Sequence, residues 1–132
     1  MRVQPTRPSP GNRTAAGGRG KVDVGEPARL EAMLRELGAR GERLGASLSW
    51  EELAGYKELA GRFLREVVGH AFRLREEQGQ DRRGQRRIYH LVQEANRKML
   101  ELTELCLQDQ QDRLAILAKL GEIQGILLDL YR

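Results

Sequence analysis

The groups in this 132-residue chain that are best placed for chemistry are arginines. Arg82, Arg83, Arg86 and Arg87 crowd into one short stretch, and clustered guanidinium groups are what neutralising a phosphate backbone requires. Arg2, Arg7, Arg13, Arg19 and Lys21 add a second basic segment near the N-terminus. Together they predict a phosphate-facing patch with salt-sensitive, sequence-independent binding to nucleic acid. Opposing this, Glu76, Glu77 and Asp81 stand nearby as counter-charges, and cations at a helix N-terminus oppose the macrodipole. Tyr89 follows the cluster, but one aromatic ring makes no stacking platform.

A second constellation is steric. Gly121 and Gly125 are four apart, on one helical face where a missing side chain lets another helix backbone approach. With Tyr56, Glu122, Asp129 and Tyr131 they predict a polar-edged groove for a protein partner.

The remaining chemistry-bearing residues point to no reaction. His70 and His90, the only histidines, lie twenty residues apart without a His-Glu-x-x-His or Cys-x-x-Cys spacing, so no metal site is predicted. Gly17-Gly18-Arg19-Gly20-Lys21 has the outline of a phosphate loop, yet Ala15 replaces the first glycine and Val22 the magnesium-binding hydroxyl. Carboxylates such as Glu66, Glu94 and Glu122 mostly stand beside arginines as helix-surface pairs. No catalytic residue and no cofactor are predicted, and the chain reads as a non-enzyme.

These groups must be carried by something, and apolar periodicity says by helices. Leu30, Leu34, Leu37, Gly41 and Leu44 recur at steps of four and three, as do Leu53, Tyr56, Ala60, Phe63, Val67, Ala71 and Leu74. Ile88, Val92, Ala95, Met99, Leu102 and Cys106 form a third such stripe, and Ile116, Leu120, Ile123, Leu127 and Leu130 a fourth. Ser49-Trp50-Glu51-Glu52 is a capping box for the second helix, and Asp109 or Asp112 caps the fourth. Gly38, Gly41 and Gly45 weaken the first helix, so it leans on tertiary contacts. Helices are predicted over about 27–46, 50–78, 86–108 and 112–131, with a polar break over 80–87. Short links favour antiparallel neighbours, hence an all-α antiparallel four-helix bundle over 26–132.

Residues 1–25 are rich in Arg, Gly and Pro and nearly devoid of apolar side chains, which predicts a disordered tail. Five basic groups against Asp23 alone account there for the whole net charge of +4, leaving 18 basic and 18 acidic groups in the rest. The single cysteine, Cys106, fits a buried core position in a reducing compartment. No secretory signal or membrane-length apolar run is visible, so a cytoplasmic protein without membrane attachment is expected.

Tyr56-Lys57, Phe63, Leu91-Val92, Leu100 and Leu102-Thr103, and above all Gly121-Glu122-Ile123 with Gly125-Ile126-Leu127-Leu128-Asp129-Leu130-Tyr131, resemble the YaaR family of small bacterial proteins. The resemblance covers roughly Leu30 to Tyr131. It implies a compact helical domain, a cytoplasmic setting and no catalytic residues to carry over. The functional expectation is a contact protein that docks another protein or a second copy of itself through a helix face. Leu59, Leu64, Phe72, Leu100, Leu107 and Leu128 mark that face if four helices cannot bury them all.

Overall fold

The computed structural model describes residues 25–77 and 82–132. Four helices fill nearly all of them: α1 (Gly25–Ser47), α2 (Trp50–Glu77), α3 (Arg82–Leu107) and α4 (Arg113–Tyr131). The expected disordered tail lies outside the described residues up to position 24, and Gly25, assigned above to that tail, is the first residue of α1.

Side-chain pairings set the helix directions. Glu26 at the start of α1 meets His70 near the end of α2, while Arg43 near the end of α1 meets Glu52 at the start of α2. The Gln124 amide donates to the Leu34 carbonyl at 3.0 Å and the Tyr131 hydroxyl to the Pro27 carbonyl at 3.2 Å, so α4 runs against α1. Lys119 with Glu101 and Lys98 with Glu122 impose the same opposition on α3 and α4. The chain is an antiparallel four-helix bundle. Among the described residues α1 and α3 do not touch, whereas α2 and α4 do. The cross-section is therefore a rhombus with α2 and α4 on its short diagonal.

The four stripes meet along that diagonal. Leu30, Leu37, Leu44, Phe63, Val67, Ala95, Leu102, Ile116, Ile123 and Leu127 are fully enclosed, and burial of such side chains, at roughly 25 cal/mol per Å² of apolar surface, is the main force holding the helices together. Cys106 is a member of this core, and burial pushes its thiol pKa up. Tyr56 reaches inward from α2 and is only 1 % exposed. The ring lies against α1 at Gly41, where a Cβ would sit at an ordinary contact distance of 3.6 Å from it. Desolvation raises the phenol pKa, and no protein group among the described residues hydrogen-bonds its hydroxyl. The ring, not the oxygen, is what the core uses. Tyr56→Phe is expected to change unfolding free energy by less than about 1 kcal/mol, and Tyr56→Ala to lower it by about 3–5 kcal/mol, read by urea denaturation.

The turns follow local chemistry. The Ser49 hydroxyl accepts the Glu52 backbone N–H at 3.1 Å, which caps α2 as the sequence suggests. The reciprocal half of the capping box is replaced, because the Glu52 carboxylate turns to Arg43 at 3.6 Å. Leu48 ends α1 in a left-handed conformation, φ 55°, a place glycine usually takes. Its side chain packs against the core, which offsets the backbone strain. At α4 it is Asp112 that caps, accepting the Ala115 N–H at 3.1 Å.

One boundary departs from expectation. Helix α3 begins at Arg82, not near position 86, so the four arginines lie in its first turns and not in a break. Gly84, buried one turn before Ile88, continues the inward seam. It has no side chain to announce itself, and arginine is itself a good helix former.

Candidate interaction surface

Arg82, Arg83, Arg86 and Arg87 are all exposed, as are Tyr89 and His90 further along the same helix. Pairs spaced by four, Arg82 with Arg86 and Arg83 with Arg87, share helical faces, so the first two turns of α3 present a basic surface. Among the described residues Arg82, Arg86 and Arg87 have no acidic partner.

The six residues expected to form one groove are divided by α4. Tyr56 and Gly121 line a cleft of about 220 Å³ on the α1 side, with Leu37, Gly38, Leu117 and Gln124. Glu122, Gly125 and Asp129 line a separate depression on the α3 side, with Ile126 and Leu128 at its base. Tyr131 is bound at the far end of the helix to Pro27, and burial raises its phenol pKa. The six residues thus line two depressions, one on each flank of α4, and the end of the helix. Among the described residues none fills the space beside Gly121 and Gly125, since a Cβ at either position meets nothing within 4 Å.

Between the two helices of the second flank runs an ion-pair network. Lys119 bridges Glu101 at 2.7 Å and Glu122 at 3.2 Å, Lys98 reaches Glu122 at 2.8 Å, and Arg97 holds Glu94 at 2.6 Å and Glu101 at 2.9 Å. The Arg97 guanidinium holds the Glu94 carboxyl below its ordinary pKa, Lys119 does so for Glu101, and Lys98 followed by Lys119 for Glu122. A carboxylate with a depressed pKa stabilises the fold above its ordinary pKa, and that contribution fades as pH falls through the lowered value. Stability should therefore be flat near neutrality and begin to fall below about pH 4. Added salt at pH 7 should weaken it modestly, because these groups face solvent. Denaturation across pH and ionic strength checks both.

A buried polar site went unread in the sequence. Glu26, His70 and Arg73 come together between α1 and α2: His70 Nδ1 lies 3.0 Å from Glu26 Oε1, and Arg73 donates to Glu26 Oε2. Glu26 and His70 are the buried polar residues of the core. The signal existed, because Glu26 stands four before Leu30 and His70 three after Val67, each in seam register. An acid and an imidazole were placed to meet across an antiparallel pair.

Of the apolar residues expected to overflow the core, Leu59 is buried, Leu64 and Leu128 are half-buried, and Phe72, Leu100 and Leu107 are exposed. Three further exposures were not anticipated. Leu114 is 80 % exposed, Trp50 60 % and Leu117 43 %. Trp50, Leu107, Leu114 and Leu117 belong to the same end of the bundle, where the Gln111 amide ties the α3–α4 link to the Leu48 carbonyl at 3.3 Å. Helix α4 accounts for much of this surface, being apolar on two opposite sides. Ile116, Leu120, Ile123, Leu127 and Leu130 face the core. Leu114, Leu117, Ala118, Gly121 and Gly125 face outward.

Among the described residues no cluster of three His, Cys, Asp or Glu could hold a metal, and no helix is long and apolar enough to cross a membrane.

Residues 22–131 match the family model described as a protein of unknown function, DUF327. The uncharacterized protein YaaR of Bacillus subtilis (strain 168) is 32% identical over 102 residues, covering 77% of this chain and 70% of that protein. Among solved structures, the uncharacterized protein BH1478 from Bacillus halodurans superposes with a TM-score of 0.75 at 36% identity, over 81% of this chain and 87% of that one. Moevan, a designed granulopoietic protein made by topological rescaffolding, superposes with a TM-score of 0.74 at 30% identity, over 90% of this chain and 99% of that one. A match along nearly the whole described bundle, joined to more than 30% identity with a full-length relative, makes this chain a member of the YaaR family of DUF327 proteins.

Proposed function

We propose that this chain is a cytoplasmic contact protein, not an enzyme, and that it works by docking a protein through the outward face of α4. The observation that carries the reading is the second apolar face of that helix. A surface helix normally presents one apolar stripe to the core and polar residues to water. Here Leu114 and Leu117 stand in solvent beside the open backbone of Gly121 and Gly125, and contiguous exposed apolar surface of this kind marks interaction sites.

The charged groups argue in the same direction. A general acid needs a raised pKa, whereas Glu94, Glu101 and Glu122 are lowered by their cationic neighbours. Glu26 and His70 are near enough for proton exchange, but both are enclosed, out of reach of a substrate. The buried thiol of Cys106 suits a reducing compartment.

The test is site-specific photo-crosslinking in cells of the native host, with the reactive side chain at position 114, 117 or 86. Protein adducts at 114 and 117 are expected. Their absence, with adducts to nucleic acid at 86, would replace this reading by the second one: that the exposed basic turns of α3 bind phosphate backbones. The exposed positions of Arg82, Arg86 and Arg87, which pair with no acid among the described residues, favour that alternative. It carries its own signature, an affinity falling steeply with salt and lost when the four arginines are replaced by serine.

A further inference from the structure

We infer that the partner of α4 is the α4 of a second copy, laid antiparallel across a twofold axis at Gly121. The inference rests on the docking reading above and specifies its occupant. An isologous contact demands that one surface complement itself, residue i of one copy meeting residue j of the other and the reverse. The outward face of α4 meets that demand at every step away from Gly121.

Four positions out on either side stand Leu117 and Gly125. The first is half-exposed, one methyl resting against Gly45 of α1 and the rest of the side chain open to a partner, and the second has open space where a Cβ would be. Each copy thus offers its partner a knob and a hole at matching distances from the axis. Seven positions out stand Leu114 and Leu128. Leu128 lines a depression with Gly125 and Ile126, among the charged side chains of Glu94, Lys98, Glu122, Asp129 and Arg132, so the most exposed leucine of one copy is set against the apolar part of that depression on the other. Eight positions out stand Arg113 and Asp129. Arg113 is exposed and has no ion-pair partner among the described residues, while Asp129 has only a loose contact with Arg132 at 3.9 Å. Antiparallel pairing places opposite charges together at both ends of the contact, twice per dimer. Gly121 at the centre removes the side chain that would otherwise hold two helix backbones apart.

A parallel arrangement has none of this. It would set Arg113 beside Arg113, Asp129 beside Asp129 and the glycines beside each other. The contact is one helix pair, about 28 Å long, and an interface of that size belongs to the small, exchanging class.

The test uses the full chain. Sedimentation velocity over a wide concentration range should show a reversible monomer–dimer equilibrium. Arg113→Asp should weaken dimerisation by about tenfold or more, because it sets like charges together at both ends. Combining it with Asp129→Arg in the same chain should restore affinity to within about threefold of the original. Both changes suit the helix dipole, acid near its N-terminus and base near its C-terminus, so the bundle stays folded. Oxidation of Gly121→Cys should trap a disulfide dimer, since an axial residue meets its own mate, whereas Ala118→Cys should not. A chain that stays monomeric, or a dimer indifferent to Arg113→Asp and untrapped through position 121, overturns the inference. If such a monomer still yields adducts to a different protein at position 114, only the occupant was wrong. If it yields none, the docking reading fails as well.

Discussion

Glu26→Ala is expected to destabilise the bundle by about 3 kcal/mol, measured by denaturant unfolding near neutral pH. Among the described residues Glu26 is the only buried acid, and both its oxygens are used, one by His70 and one by Arg73. Removing it leaves a buried imidazole nitrogen without its partner, and an unsatisfied buried polar group costs about 1–3 kcal/mol. Arg73 is nearly half-exposed and swings into water at little cost. The attachment between the first turn of α1 and the end of α2 is lost as well. The double variant Glu26→Leu with His70→Leu should recover most of the loss, since apolar replacement of a buried polar pair is close to neutral or stabilising. Failure of that rescue would mean that the site contributes through geometry that leucine cannot supply.

Phe63→Ala should have an effect at least as large, about 3–5 kcal/mol. Phe63 is fully buried in the middle of α2, which like α4 touches all three other helices. Few side chains could collapse into the space it vacates without dragging a helix. A domain of this size has a total stability of about 5–15 kcal/mol, so the variant should melt far earlier and lose the sharpness of its transition. A calorimetric scan showing a cooperative transition within a few degrees of the original would contradict this placement of the core.

Most of the fold was legible because the inward seams are regular: Leu30 to Leu44, Leu53 to Leu74, Ile88 to Cys106 and Ile116 to Leu130 each keep four-three spacing. What escaped has physical reasons. The start of α3 was placed too late because its first seam residue, Gly84, has no side chain to mark a stripe. The outward apolar face of α4 was missed at Leu114 and Leu117, which stand outside the inward four-three seam, although Gly121 and Gly125 already suggested a groove for a partner. Gly121 and Glu122 are neighbours in sequence, but a helix turns them toward different flanks, a division that spacing along the chain does not display. The Glu26–His70 pair spans 44 residues and could be found only by folding α1 against α2.

Cys106 gives this protein a built-in clock. Its sulfur is enclosed and its pKa lies above that of a free thiol, so the reactive thiolate is scarce while α3 stays packed. Alkylating reagent can then reach it only during the moments when α3 lifts away from the core. The labelling rate of the native chain, followed by mass spectrometry, therefore counts those openings one at a time, with no probe engineered in.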